Sequence, residues 1–176
     1  MTTQSRSPHP AVARTQEFLD RHAPGVRVLV PDADTSTVVA AAAALGVHPG
    51  QIAKTLAVRA GDAVLLLVMS GDARLDNRKF RDRFDAKPRM LGAEETEQLT
   101  GQPVGGVGPL GHAPGLPVFA DASLRAYDVV YPAAGSRSSA VRLTLEQLEA
   151  LTHATWVDVA TIPVTGTDVG TGTAAG

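Results

Sequence analysis

An uninterrupted apolar segment, Val-Leu-Leu-Leu-Val-Met at residues 64–69, constrains the fold more than any other feature. A strand with one face in water alternates apolar and polar side chains, whereas these six residues leave no polar face. The segment therefore predicts a central strand covered on both faces. A chain of 176 residues can bury about 70% of the surface that its unfolded form exposes, which suits one such domain.

Helical and extended patterns alternate along the rest of the chain. Apolar spacing and capping residues predict helices at 10–22, between a cap at Thr35 or Ser36 and a stop at Gly46, and at 76–84, 93–99 and 144–151. The last begins with a capping box of Thr144 and Gln147. Strands are predicted at 26–30, 52–58, 63–69, 89–91, 116–120, 128–131, 140–143 and 155–159. Because some strands form hairpins and others are separated by helices, we expect an α+β fold with a mixed sheet rather than a doubly wound α/β fold.

Both ends of the sequence lack hydrophobic periodicity. We expect a disordered N-terminal tail at 1–8, one folded domain at 9–162, and a flexible Gly/Thr-rich tail at 163–176. The first ten residues hold no apolar core of a signal peptide, and no apolar run approaches the roughly 20 residues of a membrane span. The expected location is the cytoplasm.

Composition excludes several classes of protein. The 16 Lys and Arg against 18 Asp and Glu argue against a protein that coats nucleic acid, which needs an excess of positive charge. The absence of cysteine excludes disulfides, thiolate nucleophiles and cysteine-ligated zinc.

Familiar catalytic motifs are absent or lack their context. Residues 106–111 satisfy G-x-G-x-x-G, but no strand precedes them and no helix follows, so a dinucleotide site is rejected. The sequence has no Walker A lysine, G-x-S-x-G elbow or H-E-x-x-H, and its five histidines lack ligand spacing. We expect no metal and no cofactor. A Ser-His-Asp triad stays open, because triads are spatial rather than sequential.

Lys54 lies inside an otherwise apolar strand pattern. Alternation puts it on the same face as Ile52, Leu56 and Val58. An ammonium among apolar neighbours is costly unless it reaches water or an anion. Two interpretations stay open: a lysine that extends to solvent near a strand end, and an anion anchor within a cleft.

A second candidate is the loop at residues 101–111, with five glycines and two prolines. Gly105 and Gly106 permit positive φ and close approach of the backbone to a ligand, and Pro109 stiffens the exit. Consecutive free N–H groups in such a loop can bind an anion or an oxyanion. The alternative is an ordinary connection, although its length favours a function.

A third candidate, which we call the basic stretch, is residues 74–89, where seven Lys and Arg face three Asp. A solvated helix face is the plain interpretation, and a phosphate-facing patch is the alternative.

These motifs together resemble the YbaK/EbsC family, free-standing relatives of the editing domain of bacterial prolyl-tRNA synthetases. The resemblance covers roughly residues 35–145. It is carried by AAAALGV at 41–47, QIAKTL at 51–56, VMSGDARLD at 68–76, LTG at 99–101, VGGVGPLG at 104–111 and LPVFAD at 116–121. Each motif is weak alone, whereas their ordered set is specific.

The resemblance implies a barrel-like mixed sheet flanked by helices, and hydrolysis of the ester between a wrong amino acid and the 3′ end of a tRNA. Lys54 would match the family's lysine at the terminal phosphate and ribose. Gly105 to Pro109 would match its G-x-x-x-P loop, whose backbone shapes the aminoacyl pocket. The expected catalytic set is therefore Lys54, Gly105, Gly106 and Val107.

Further substrate contacts are expected around this set. Thr55, Ser70 and Asp72 are expected cleft neighbours, because Ser70 and Asp72 follow the strand paired with that of Lys54. Substrate contacts are also expected from the loop residues Gly101, Pro109 and Gly111. Asp121 is a further expected contact, and a role as a turn or cap residue is an equal alternative for it. The expected partners are the 3′ end of an aminoacyl-tRNA and prolyl-tRNA synthetase, and the expected oligomeric state is a monomer.

The sequence departs from the family pattern at one place. YbaK-type members commonly carry Ser-Gly-Gly after the strand that here ends at Tyr131, and an acidic residue about seven positions on. This chain has Ala133-Ala-Gly135 and Ala140. The amino acid therefore stays open between cysteine and a small residue such as alanine, serine or a near-isostere on tRNA(Pro). A binding module that kept the fold and lost catalysis stays the alternative function.

Overall fold

The computed structural model describes residues 9–33, 35 and 37–163. Residues 1–8 and 164–176, which hold the predicted tails except for residue 163, lie outside the described residues. The tails and the domain limits stay predictions.

Five α-helices and eleven strands form the described part of the chain. The helices are α1 (Pro10–His22), α2 (Val38–Leu45), α3 (Asn77–Phe84), α4 (Ala93–Thr100) and α5 (Leu145–Thr152). The strands are β1 (Val28–Leu29), β2 (Ile52–Ala60), β3 (Ala63–Ser70), β4 (Arg74–Leu75), β5 (Pro88–Met90), β6 (Val118–Asp121), β7 (Val129–Pro132), β8 (Ala140–Val141), β9 (Leu143–Thr144), β10 (Thr155–Val157) and β11 (Ala160–Thr161). Short 3₁₀ helices lie at Pro49–Gln51 and Ala122–Ala126.

The main sheet has seven strands in the order β10-β6-β3-β2-β7-β9, with β5 also paired to β2. β3 pairs antiparallel with β2 and parallel with β6, so the predicted central strand is confirmed. Its side chains enter two different cores: Leu66 and Val68 pack in one cluster, and Leu65, Leu67 and Met69 in another. The mixed α+β class, with a curled sheet flanked by helices, is confirmed.

Several local predictions were wrong in detail. Thr37, not Thr35, caps α2 by accepting a hydrogen bond from the Ala40 N–H, and the other predicted cap, Ser36, lies outside the described residues. The segment 140–143 is divided into β8, which pairs with β1, and β9, which pairs with β7. The short pair β4 and β11 was missed, because two-residue strands have no periodicity to detect. By contrast, the bounds of α1 and the Thr144–Gln147 capping box are confirmed.

The sheet is interrupted along one edge of β2. On that edge β2 pairs with β7 at Ile52 and Ala53, and with β5 from Val58 to Ala60. On this edge no described strand pairs with residues 54–57, whereas their other edge pairs with β3. We call this interval the break in the sheet, and the candidate site lies there.

Candidate functional site

A cavity of about 300 Å³ opens at the break in the sheet. Residues 52–57 of β2 line it, together with side chains from α2 and from the end of β5. Two loops complete the wall. The 101–111 loop contributes Val104, Gly105 and Val107, and the loop after β7 contributes Ala133, Ser136, Arg137 and Ser139.

Lys54 lines this cavity and is partly buried. As alternation predicts, its neighbours Leu56 and Val58 pack with the same apolar cluster. Its Nζ donates a hydrogen bond to the Ala73 carbonyl in the turn after β3. Burial lowers the pKa of Lys54 below its ordinary value, the positive charge of Arg74 lowers it further, and the Asp72 carboxylate opposes this shift. The ammonium is thus held at the turn after β3 and is partly removed from solvent.

Ser70 and Asp72 lie behind Lys54 and do not line the cavity. The Ser70 hydroxyl donates to the Asp72 carboxylate at 2.5 Å and contacts the Gly50 carbonyl at 2.7 Å. Burial raises the pKa of Tyr127, and the nearby charge of Asp72 raises it further. The Ser70 and Asp72 side chains therefore support the turn that holds the Lys54 ammonium.

Thr55 points to the opposite face of β2 and also lines the cavity. Its Oγ1 is buried and has no hydrogen-bond partner among the described residues. The β2–β3 hairpin closes at the pair Ala60 and Ala63, which makes Lys54 and Met69 a hydrogen-bonded pair and Thr55 and Val68 a non-bonded one. The backbone N–H and C=O of Thr55 therefore face the break in the sheet.

The prediction of consecutive free N–H groups in the 101–111 loop is wrong. The Gly106 N–H donates to the Pro103 carbonyl at 2.9 Å, and the Gly108 N–H donates to the Gln102 side chain at 2.8 Å. Gly106 does not line the cavity, because it packs against the Ser136 backbone, which a Cβ would approach to 2.6 Å. Gly105 and Val107 remain at the cavity, and Gly105 has a φ of 86°.

Buried contacts hold this loop from behind. Gln102 is fully buried and donates from its side chain to the Leu110 carbonyl at 2.8 Å, so its amide joins two points of the loop. Arg14 of α1 donates to the Gly101 carbonyl. The Thr15 hydroxyl lies 3.4 Å from the Leu110 carbonyl. The helix α1 thus supports the loop.

The other predicted loop contacts lie away from the cavity. Gly101 ends α4 with a φ of 74°, and Gly111 packs against Thr15 of α1. Pro109 is buried in the loop. These three residues shape the loop, and none of them lines the cavity.

Asp121 has a structural position. It is buried and accepts hydrogen bonds from the Ser123 and Val159 N–H groups, each at 2.8 Å. It caps the 3₁₀ helix Ala122–Ala126 and anchors the chain after β10, away from the cavity. The cap interpretation agrees with this geometry.

Structural contacts occupy part of the basic stretch. Lys79 pairs with Asp158 at 2.9 Å, and the Arg83 guanidinium lies over the rings of Phe84 and Phe119. Arg74 lies close enough to Lys54 to lower its pKa. The solvated face and the phosphate-facing patch both stay predictions.

Sequence reasoning missed polar residues that complete the wall. The cavity is also lined by Thr35, Thr37, Thr96, Ser136, Arg137 and Ser139. Arg137 lies along Gly105 and donates from Nε to the Val104 carbonyl at 3.2 Å. Ala133 and Ala140 line the cavity and pair with each other, so the two departures from the family pattern do face it. No local pattern marks these positions, because they come from segments far apart in the chain.

Two features are absent from the described residues. They contain no group of three or more His, Cys, Asp or Glu that could hold a metal ion. None of their helices is long and apolar enough to cross a membrane.

The chain is similar to known proteins over most of the described residues. A family model described as the aminoacyl-tRNA editing domain matches residues 32–151. The chain is 42% identical over 130 residues to YwhH, an uncharacterized protein of Bacillus subtilis, covering 73% of this chain and 83% of YwhH.

The names of two further similar proteins refer to prolyl-tRNA synthetase, which is also called proline–tRNA ligase. A proline–tRNA ligase of Solidesulfovibrio magneticus is 39% identical over 90 residues, which are 50% of this chain and 15% of the ligase. The crystal structure of a proposed trans-editing enzyme for prolyl-tRNA synthetase superposes with a TM-score of 0.82 at 35% identity, covering 88% of this chain and 99% of that one.

Proposed function

The chain belongs to the family of aminoacyl-tRNA editing domains, and we propose on that premise that it hydrolyses the ester of a mischarged tRNA(Pro) carrying a small amino acid. One observation carries the proposal. Lys54 of β2 and the loop residues Gly105 and Val107, which are about 50 positions apart in the sequence, line the same cavity. A cation and a glycine-rich backbone are suited to the phosphate and the ester carbonyl of one tRNA end.

The chemistry needs little more than positioning. An aminoacyl ester is already activated, so a held water and backbone donors at the developing oxyanion can suffice. Water adds to the carbonyl carbon, the bond to the ribose 3′ oxygen breaks, and that oxygen leaves with a proton as a hydroxyl. The family resemblance adds help from the ribose 2′-hydroxyl. In this proposal the oxyanion donors are the N–H groups of Gly105 and Val107, because those of Gly106 and Gly108 are already used.

Lys54 is proposed to bind the terminal phosphate and ribose. Its ammonium donates a hydrogen bond to the Ala73 carbonyl. A bound phosphate would be a stronger acceptor, because it is charged. Partial burial strengthens such a pair relative to the same pair in water. The formal net charge of −2 predicts weak affinity for the remainder of the tRNA, so prolyl-tRNA synthetase is a proposed partner. A monomer in the cytoplasm is the proposed state.

A second function is favoured by one specific observation. Ala133 and Ala140 give an apolar wall where YbaK-type members carry a serine and an acidic residue. A domain without catalysis that binds a tRNA end or a small ligand would keep Lys54 and tolerate this wall.

Deacylation of a panel of mischarged tRNAs separates the two. The wild-type protein, Lys54→Ala and Arg21→Ala are each incubated with tRNA(Pro) carrying alanine, serine, cysteine or proline. We expect hydrolysis of a small non-proline substrate, a loss of about 100-fold or more in Lys54→Ala, and less than twofold change in Arg21→Ala. Arg21 is a matched control, because it is an exposed cation of α1 paired with Glu17.

Each contrary outcome has a different meaning. No hydrolysis by the wild-type protein, together with binding of the charged tRNA, would favour the module without catalysis. Hydrolysis that survives in Lys54→Ala would keep the enzyme and remove the assigned anchor.

A further inference from the structure

Among the described residues that line the cavity, two side chains are cationic and none is a carboxylate. The cations are Lys54 on β2 and Arg137 in the loop after β7. The chain as a whole carries a formal net charge of −2, so this excess of positive charge is local. A cavity lined by one sign of charge attracts ligands of the opposite sign. Lys54 has a ligand in the proposed function, whereas Arg137 has none.

Arg137 lies at the mouth of the cavity, because it lines the cavity and is also exposed. Its Nε donates a hydrogen bond to the Val104 carbonyl at 3.2 Å. Its stem crosses Gly105, where an added Cβ would lie 2.9 Å from Nε and 3.0 Å from Cγ. The Thr35 hydroxyl donates to the Arg137 carbonyl. Contacts with two other segments therefore hold both the backbone and the stem of this arginine.

The outer part of the Arg137 guanidinium is not used by these contacts. An arginine has five N–H groups, and the bond from Nε is the one side-chain hydrogen bond that Arg137 donates to the described residues. None of the ion pairs among the described residues includes Arg137. The terminal nitrogens of a guanidinium form a planar fork that matches two oxygens of one phosphate. A side chain that is held at its base and has a free cationic head is suited to binding an anion.

Building on the proposed function, we propose that Arg137 binds a backbone phosphate of the tRNA 3′ end that is distinct from the phosphate assigned to Lys54. The 3′ end of a tRNA is a single strand with one phosphate per nucleotide. A strand whose last nucleotide enters the cavity therefore passes its preceding phosphates through the mouth. Proteins that bind single strands commonly follow the backbone with a positively charged groove. The ester is uncharged, whereas a phosphate attracts a guanidinium even where water reaches it.

The proposed contact is to a part of the RNA that does not react. It therefore holds the substrate equally in the ground state and in the transition state, and its loss weakens binding without slowing the chemical step. We expect Arg137→Ala to raise KM for a mischarged tRNA(Pro) by about fivefold and to change kcat by less than about twofold.

The main test measures binding without hydrolysis, by fluorescence anisotropy with a labelled, uncharged minihelix of the tRNA(Pro) acceptor stem that ends in CCA. The affinity is measured between about 50 and 200 mM KCl, and each phosphate contact with a single strand contributes about 0.7 to the slope of log K against log salt. We expect Arg137→Ala and Arg137→Gln to lower this slope by about 0.7, and Arg137→Lys to keep it.

Two variants separate this role from a structural one. Arg137→Gln keeps a side-chain N–H donor for the Val104 carbonyl and removes the charge. Arg142→Ala removes an exposed cation that does not line the cavity, and it should keep the wild-type slope. A wild-type slope in both Arg137→Ala and Arg137→Gln would overturn the proposal. A lower slope in Arg137→Ala alone would also overturn it, because the arginine would then act only by holding the loop.

A phosphate scan tests whether the two cations bind different phosphates. Each phosphate of the CCA end is replaced in turn by an uncharged methylphosphonate, and affinities are compared for the wild-type protein, Lys54→Ala and Arg137→Ala. A replacement has no further effect in the variant that already lacks the partner of that phosphate. We expect this silent position to differ between Arg137→Ala and Lys54→Ala. The same position for both variants, or none for Arg137→Ala, would overturn the proposal.

Failure of the proposed function gives a different result. A wild-type protein that binds the minihelix with a slope dependent on Arg137, but hydrolyses no mischarged tRNA, would keep this inference and remove the enzyme. Hydrolysis together with a slope independent of Arg137 would do the reverse. An absence of binding at the lowest salt concentration would overturn the inference.

Discussion

The two walls of the cavity are built in different ways. On the β2 wall, Lys54 and Thr55 belong to a regular strand, and the antiparallel register with β3 sets their directions. On the loop wall, Gly105 and Val107 belong to an irregular segment whose shape depends on Gln102, on α1 and on the loop after β7. One wall presents side chains on a rigid frame, and the other presents backbone held by distant residues.

Because the two walls are built differently, substitutions on them are expected to have different effects on activity and stability. A side chain that points into the cavity from β2 can change without moving the strand. A residue behind the loop wall cannot change without moving the backbone that forms the wall. We therefore expect substitutions on the β2 wall to alter activity with little loss of stability, and those behind the loop wall to alter both.

The largest expected effect is that of Gly108→Ala behind the loop wall. A Cβ at this position would lie 1.8 Å from the Ala133 carbonyl oxygen, and a backbone atom cannot rotate away. We expect a loss of about 3 kcal/mol in the free energy of unfolding, as measured in urea, together with loss of deacylation. Gly92→Ala is the matched control, because its Cβ would meet nothing within 4 Å. It should cost at most about 1 kcal/mol. Equal small losses in both variants would contradict the close contact between the two loops.

A smaller effect is expected for Gln102→Leu. The substitution removes both bonds of the buried amide and leaves the Gly108 N–H and the Leu110 carbonyl without this partner. Unpaired buried groups of this kind cost about 1–3 kcal/mol, and we expect about 2 kcal/mol. The control is Gln98→Leu on α4, where the exposed side chain donates a hydrogen bond to the Glu94 carboxylate. If Gln102→Leu kept full stability and activity, the dependence of the loop wall on this side chain would be refuted.

The smallest expected effect is a pH dependence of stability on the β2 wall. Burial lowers the pKa of Lys54 in the folded protein. In the unfolded chain the same lysine has its ordinary pKa of about 10.4. Between these two values the unfolded chain binds more protons, so the contribution of Lys54 to the free energy of unfolding rises with pH. The penalty for the buried charge is full below the lowered pKa and absent above about 10.4.

Urea unfolding of the wild-type protein and of Lys54→Met across the alkaline range checks this sign. The difference between the two free energies, wild type minus variant, should grow as pH rises toward about 10. A difference that stays constant or shrinks would show that burial does not disfavour the ammonium. In that case a buried charge at Lys54 would not distinguish the β2 wall from the loop wall.

The strand wall was predictable to the level of single residues. Alternation in β2 put Lys54 among apolar neighbours, and the resemblance named Lys54 and the glycine-rich loop. The loop wall was predictable only in outline. The loop was identified, but its free N–H groups were not, because the Gly106 N–H is used by Pro103 and the Gly108 N–H by Gln102. No periodic pattern encodes such contacts.

The sequence by itself determined the central strand, the limits of α1, and the family, because these follow from local spacing and from ordered motifs. Only the tertiary structure decided which residues share the cavity. It put Gly106 and Asp121 outside and brought Arg137 and Thr96 to the wall. The physical reason is that side-chain direction in a strand is set by the two-residue period, whereas the break in the sheet arises from where β5 and β7 stop pairing with β2. That stopping point is a property of three segments together.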